Sequence, residues 1–223
     1  KGNPSMNTQR TKKLAAVAML SAVAYIVMVV GRIPVVLFLK YDPKDVVITL
    51  CGLIYGPLAA VASSLTVSVV EMFTVSDTGP IGLVMNVLSS CTFACTAAWI
   101  YRRKRTLSSA VVGLAAGGVA MTAAMMLWNA LITPFYMGIP RGAVLELLIP
   151  AFLPFNLLKG GLNAAITMLL YKPLVSALRR SGLLPPSASS AKTDGRVRYG
   201  VAAASLLVVA AFALMLFAAQ GAL

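Results

Sequence analysis

The sequence contains no histidine and only six acidic residues, which leaves few groups for metal binding or acid–base catalysis. The three cysteines, Cys51, Cys91 and Cys95, lie inside apolar runs, where they suit packing better than metal binding. The phosphate-binding pattern G-x-x-x-x-G-K-[ST] is also missing. We therefore expect the chain not to be an enzyme and to carry no ATP site, metal or cofactor of its own.

Charged residues are scarce, at 11% of the chain, whereas 59% of it is apolar. A soluble domain carries about 25% charged residues, so this chain has too little polar surface to face water on all sides. Its apolar runs are long and continuous rather than alternating, which indicates helices that span a bilayer. The composition predicts an all-α, multi-pass integral membrane protein of the cell membrane.

The net charge of +13 raises nucleic-acid binding as an alternative. The basic residues, however, lie at the ends of apolar runs, where they set membrane orientation and contact anionic lipid. We therefore expect membrane lipid, and not nucleic acid, to be the partner of these charges. Lys1–Ser5, which precede Met6, are interpreted as a cloning remnant.

The apolar run Val46–Val70 can be read as one long helix or as two short ones that meet at Gly56-Pro57. Only the two-helix reading places most of the 19 Lys and Arg residues on the cytoplasmic side, together with the N-terminus. It predicts six core helices, at about 12–31, 45–56, 57–74, 80–101, 107–135 and 153–178. The predicted organisation is a tail (1–11), a six-helix substrate-binding domain (12–180), a flexible cytoplasmic linker (181–198) and an extra C-terminal transmembrane helix (199–223).

The sixth predicted helix carries a polar stripe. Asn156, Lys159 and Asn163 share one face at helical spacing, and the stripe is about 10 Å long at 1.5 Å per residue. Such a stripe suits a flat polar ligand with several rings. The alternative is that Lys159 extends to the membrane surface while the asparagines join helices.

Other polar candidates fall on the same, predicted external side. Glu71 ends the third helix, Asn86 lies near the outer part of the fourth, and Asn129 and Tyr136 lie toward the outer end of the fifth. Tyr136 suits an interfacial anchor equally well, whereas an amide deep in an apolar run needs polar partners. The loop 34–45, apolar and then charged, is interpreted either as a lid or as a solvated loop.

In this order and at these spacings, several segments resemble the S components of energy-coupling factor (ECF) transporters, and within them the riboflavin-binding subgroup. The resemblance covers about residues 12–178 and rests on the segments 18–22, 38–42 with 45–46, 56–60, 128–129 with 134–136, and 154–160. It implies a six-helix bundle that binds the vitamin in an externally open pocket capped by the first loop. It also implies a transmembrane coupling subunit and two cytoplasmic ATPase subunits as partners.

The resemblance also implies roles for particular residues. Ala18 and Ala22 form a small-xxx-small pair on the first helix that would meet the coupling subunit. The implied hydrogen-bonding contacts to the vitamin are Asn129, Asn156 and Lys159, with Glu71, Asn86, Lys40 and Asp42 as further polar candidates, and Leu37, Phe38, Leu39 and Met125 would enclose the ring system. Asn163, from the polar stripe, and Tyr136, from the outer end of the fifth helix, complete the candidate binding residues. The seventh helix departs from the family pattern.

The residues leave other functions open. A second reading keeps the family but changes the ligand to a flavin nucleotide such as FMN, another vitamin or a purine-like base. A membrane enzyme is disfavoured by the lack of histidine and of paired intramembrane carboxylates. A structural or assembly membrane protein is the remaining alternative.

Overall fold

The computed structural model describes residues 4–36, 39–138 and 140–184, with five positions of the C-terminal segment: 203, 205, 206, 209 and 210. The elements, in chain order, are α1 (Pro4–Gly31), β1 (Ile33–Val36), β2 (Leu39–Tyr41), α2 (Lys44–Tyr55), α3 (Pro57–Thr74), α4 (Gly79–Lys104), α5 (Leu107–Leu131), α6 (Thr133–Met137), α7 (Arg141–Leu147), a π-helical turn (Leu148–Phe152) and α8 (Leu153–Arg180).

Five helical segments among the described residues are long and apolar enough to cross a membrane. They contain α1, α3, α4, α5 and α8, and they confirm the predicted helical membrane class. The remaining predicted core helix, 45–56, is α2, which has 12 residues and is buried along almost its whole length. At about 1.5 Å per residue it is too short to span the bilayer. It therefore lies inside the bundle and is enclosed by its neighbours.

The break at Gly56-Pro57 is present, as the two-helix reading of this run requires. Gly56 has φ +99°, a conformation that favours glycine, and Pro57 begins α3, where its missing N–H costs nothing. The predicted fifth helix, 107–135, ends earlier, at Leu131, and α6 follows as a separate short helix. Pro134 explains the difference, because proline cannot donate the hydrogen bond that would continue α5.

The first loop contains two β-strands, which the all-α prediction lacks. Its strands pair antiparallel, with Ile33 opposite Tyr41 and Pro34 opposite Lys40. β-Branched residues in β1 favour an extended chain, and a two-stranded hairpin gives proline an edge position. The hairpin lies between α1 and α2 in the chain and brings the loop back toward the bundle.

Glycines allow the helices that carry the site to pack closely. A Cβ at Gly117 of α5 would lie 2.6 Å from the carbonyl oxygen of Phe93 in α4, and one at Gly160 of α8 would lie 3.2 Å from the Cα of Gly118. Small residues of this kind let helix backbones approach in lipid, where packing drives association. The α4–α5–α8 side of the bundle is therefore held by backbone contact.

The predicted linker and seventh helix fall mainly outside the described residues, and they stay predictions. Ser205 is buried and lines an apolar groove of about 360 Å³ between α5 and α8, whereas Leu206 is exposed. Val209, one helical turn after Ser205, packs against Tyr41 and Leu162. These positions of the C-terminal segment thus lie against α5, α8 and the hairpin.

Candidate functional site

A cavity of about 250 Å³ opens where the hairpin, the α3–α4 loop and the start of α8 meet. It mixes polar and charged groups with a few large apolar side chains. Its lining is Arg32, Lys40, Asp42, Glu71, Ser76, Asp77, Thr78, Met85, Asn86, Ser89, Met125, Asn129, Phe155, Asn156 and Lys159. Concave sites with a few converging polar groups are the usual form of small-molecule sites.

The structure brings most of the predicted binding residues to this cavity. They come from the hairpin region, from α3, α4 and α5, and from α8, and they are Lys40, Asp42, Glu71, Asn86, Met125, Asn129, Asn156 and Lys159. Segments far apart in the sequence thus converge at one end of the bundle. Their role as ligand contacts is taken up as a proposal below.

The other predicted contacts lie elsewhere or cannot be described. Asn163 is buried one turn after Lys159, off the cavity, where its Oδ1 accepts a hydrogen bond from the Tyr41 hydroxyl at 2.9 Å. Leu39 lies in β2 and Tyr136 in α6, but their side chains are outside the described part of the structure. Leu37 and Phe38 are outside it altogether.

The two cavity asparagines are held by their own helices. The Asn156 side chain donates to the carbonyl oxygen of Phe152 at 2.8 Å, in the π-helical turn before α8. The Asn129 side chain donates to the carbonyl of Met125 at 2.8 Å, and its Oδ1 accepts from Thr133 at 2.9 Å. Both amides are therefore fixed in orientation before any ligand arrives, which lowers the entropic cost of binding.

Glu71 is the centre of a buried polar network. It accepts hydrogen bonds from Arg32 and Lys44, and from Asn86 at 3.0 Å. Arg32 also donates to Asp42 at 2.7 Å, so the charges at both ends of the hairpin meet α3. With Glu71 3% and Lys44 0% exposed, these ionic groups are compensated by partners, as buried charges must be.

A second ion pair forms the floor of the site. Lys159 Nζ lies 3.0 Å from Asp45 Oδ2, and the two side chains are 9% and 1% exposed. The Ser90 hydroxyl donates to the other oxygen of Asp45. The pair joins α8 to the first turn of α2, and α4 supplies the serine.

Sequence reasoning did not assign Arg32, Lys44, Asp45 or Asp77 to the site. The available signal was the scarcity of acidic residues, because a chain with six acids that places four of them at 42, 45, 71 and 77 must pair or solvate them. Asp77 lies at the rim, where hydrogen bonding from Lys40 at 2.7 Å lowers its pKa from the ordinary value of 3.8.

The predicted docking pair lies away from the cavity lining, on the outer face of α1. Ala18 and Ala22 are exposed, as is Met19 between them, whereas Val17 and Ser21 face the bundle. The small-residue face is thus open at the surface of the described structure.

Comparison with known proteins agrees with this architecture. The sequence model of the family described as "ECF transporter, substrate-specific component" matches residues 12–171. The riboflavin transporter RibU of Staphylococcus aureus is 29% identical over 189 residues, which cover 80% of this chain and 98% of that protein. The riboflavin transporter FmnP of Bacillus subtilis is 28% identical and covers 76% of this chain and 97% of its own length.

A solved structure gives the same result for the fold. It is described as the S component of a bacterial ECF transporter, and it superposes with a TM-score of 0.64 at 28% identity. The match covers 76% of this chain and 98% of that one. The likeness therefore takes in nearly the whole of the solved S component.

Proposed function

The chain belongs to the substrate-specific components of ECF transporters, and on this premise we propose that it captures riboflavin in the described cavity for import by partner subunits. The observation that carries the proposal is the convergence of Asn129, Asn156 and Lys159 on one cavity, beside Met125 and Phe155. Similarity to riboflavin transporters over most of the chain supports the choice of vitamin.

The lining suits the two halves of riboflavin. Apolar side chains, namely Met85, Met125 and Phe155, offer contacts for the flat ring system, and thioethers pack favourably against aromatic rings. The fixed amides of Asn129 and Asn156 offer donors and acceptors to the polar ring edge or to the hydroxyl groups of the ribityl chain. A buried site built to hydrogen-bond its ligand rejects analogues that leave those groups unpaired.

The cavity is proposed to face the exterior. Lys12 donates to the carbonyl oxygen of Gly182 at 3.4 Å, so the beginning of α1 lies beside the end of α8. That end of the bundle carries the basic run Arg102–Arg105 and Arg179-Arg180, whereas the cavity lies near the first residues of α4 and α8. Because Lys and Arg mark the cytoplasmic side, the N-terminus is cytoplasmic and the cavity opens outward.

The exposed face around Ala18 and Ala22 is proposed to meet the transmembrane coupling subunit. Small side chains allow close contact between helices in lipid, and nothing in the described structure covers these two residues. In this arrangement two ATPase subunits act through the coupling subunit. The segment 199–219 is proposed to form the additional transmembrane helix, beyond residues 12–171 that match the family.

The test is the ligand that accompanies the protein through purification. We expect a yellow preparation whose extract contains riboflavin, and submicromolar riboflavin binding with quenched flavin fluorescence once the protein is emptied. A panel with another vitamin and a purine base should not raise the melting temperature as riboflavin does, because a ligand stabilises by mass action. Absence of riboflavin binding, with stabilisation by another member of the panel, would refute the proposed ligand.

A further inference from the structure

The cavity is electrically balanced, although the whole chain carries a net charge of +13. Among the described residues, the charged groups that line it or lie directly behind the lining are Arg32, Lys40, Lys44, Lys159, Asp42, Asp45, Glu71 and Asp77. Cations and carboxylates are equal in number in this set, and it contains four of the six acidic residues of the chain. The excess of positive charge thus lies elsewhere.

Each cation of this set has a carboxylate partner within the described residues. Arg32 is paired with Asp42 and Glu71, Lys44 with Glu71, and Lys159 with Asp45. The Lys44 and Lys159 pairs are buried, whereas the Arg32 side chain is 19% exposed and pairs with two buried carboxylates. Lys40 pairs with Asp77 at 2.7 Å at the rim, where the side chains are 41% and 76% exposed.

A phosphate group has little to gain from such a site. A phosphate monoester carries about −1.5 to −2 charge at pH 7 and needs cations or free backbone N–H groups when it leaves water. Here the cations are already neutralised, and an added anion would face the carboxylates of the cavity. A neutral polar ligand meets no such penalty.

Asp77 lies at the exposed edge of the cavity lining, in the loop before α4. In the orientation on which the inference rests, the apolar lining and the buried amides hold the flavin ring, and the free end of the ribityl chain lies at the rim, beside Ser76, Asp77 and Thr78. The rim is also the N-terminus of α4, which begins at Gly79 and would otherwise favour an anion. The Asp77 carboxylate places a negative charge there and holds Lys40.

Resting on the proposed riboflavin site, we propose that this chain selects the unphosphorylated vitamin over FMN, and that Asp77 sets this selectivity by withholding Lys40 from the phosphate. The selectivity is a difference of two affinities that share the same ring contacts. The selectivity therefore depends on the charges at the rim and not on the contacts to the flavin ring, which both ligands share.

The test is a pair of fluorescence-quenching titrations, with riboflavin and with FMN, on emptied full-length protein in uncharged detergent at pH 7.5. We expect wild-type protein to bind riboflavin at least about tenfold more tightly than FMN. D77N should reduce the ratio of the FMN Kd to the riboflavin Kd by roughly three- to tenfold, as expected for one charge at a partly exposed site. K40Q should increase the same ratio.

Glu146 provides the matched control. It is an exposed acid in α7 outside the cavity lining, so E146Q changes the net charge as D77N does and should leave the ratio unchanged. Equal affinity of wild-type protein for both flavins would overturn the inference while leaving the proposed function intact. An equal effect of E146Q and D77N, or none from D77N, would overturn the assignment to Asp77. Failure to bind either flavin would remove the proposed function as well.

Discussion

Replacing Lys159 by methionine should leave the Asp45 carboxylate in the interior without its cation. The two charged atoms are 3.0 Å apart, and the side chains are 9% and 1% exposed, so water cannot take over the role of the ammonium group. Breaking a buried pair by removing one partner costs about 3–5 kcal/mol, because an uncompensated charge remains. Methionine keeps most of the length of the lysine chain, so the cost reports charge rather than a cavity.

The assay is the apparent melting temperature of the ligand-free protein in detergent. A cost of about 3–5 kcal/mol lowers the melting temperature of a chain of this size by roughly 6–20 °C. D45N should lower it in the same direction. The double variant D45N/K159M should lose much less than the sum of the two, because neither charge is then buried alone.

Lys40 supplies the matched control, because its pair with Asp77 is exposed at the rim. K40M should shift the melting temperature by no more than about 2 °C. If K159M melts within the same interval of wild type, Asp45 does not depend on Lys159 in the folded protein. The ion pair between Asp45 and Lys159 would then not stabilise the folded protein, and this prediction would be refuted.

Three further predictions concern the site, the docking face and the helix contacts. N156A should weaken riboflavin binding by about tenfold, because it removes a buried hydrogen-bonding amide worth roughly 1–2 kcal/mol, and fluorescence quenching measures the change. A18W and A22W should abolish riboflavin uptake by whole cells while the affinity of the purified protein stays within about threefold of wild type. V112W places the same bulky side chain on an exposed face of α5 and should leave uptake intact. Normal uptake by A18W would rule out the docking face. G117A should lower the melting temperature by several degrees, because its Cβ would lie 2.6 Å from the Phe93 carbonyl oxygen and overpacking costs about 1–3 kcal/mol. G142A is the control and should leave the melting temperature unchanged, because the space around Gly142 is open.

Much of the helical architecture could be predicted from the sequence. A helix that crosses a membrane needs an apolar stretch of sufficient length, and basic residues at its ends indicate the cytoplasmic side. The reading of the run after Val46 as two helices followed from the positive charges that come later in the chain, and the structure ends α2 at Tyr55 and begins α3 at Pro57. The hairpin was missed, because strands of three and four residues leave almost no periodic signal. The apolar residues of this loop fitted a lid or a solvated loop equally well, and neither interpretation predicts strands.

Most of the residues selected from the sequence line one cavity, but their contacts with one another could not be predicted. A polar residue in an apolar run shows itself in the sequence, so Asn129, Asn156 and Lys159 could be selected one by one. The hydrogen-bond or ion-pair partner of a polar residue depends on how distant segments pack, and a single sequence does not show that packing. Asn163 illustrates the limit: it shares the helical face of Lys159, yet it faces Tyr41 and lies off the cavity.

The polar network also explains how a hairpin with only seven strand residues is held at the cavity, where Lys40 of β2 is part of the lining. Arg32 precedes β1 and Asp42 follows β2. Arg32 pairs directly with Glu71 of α3. Asp42 is linked to Glu71 indirectly, because Arg32 and Lys44 each contact both carboxylates. The same Glu71 accepts from Asn86 of α4, so one carboxylate links the hairpin to the cavity wall. Any ligand that draws Asn86 or Arg32 toward itself must therefore change the bonds that hold the hairpin. We therefore expect ligand binding and the position of the hairpin to be coupled through Glu71.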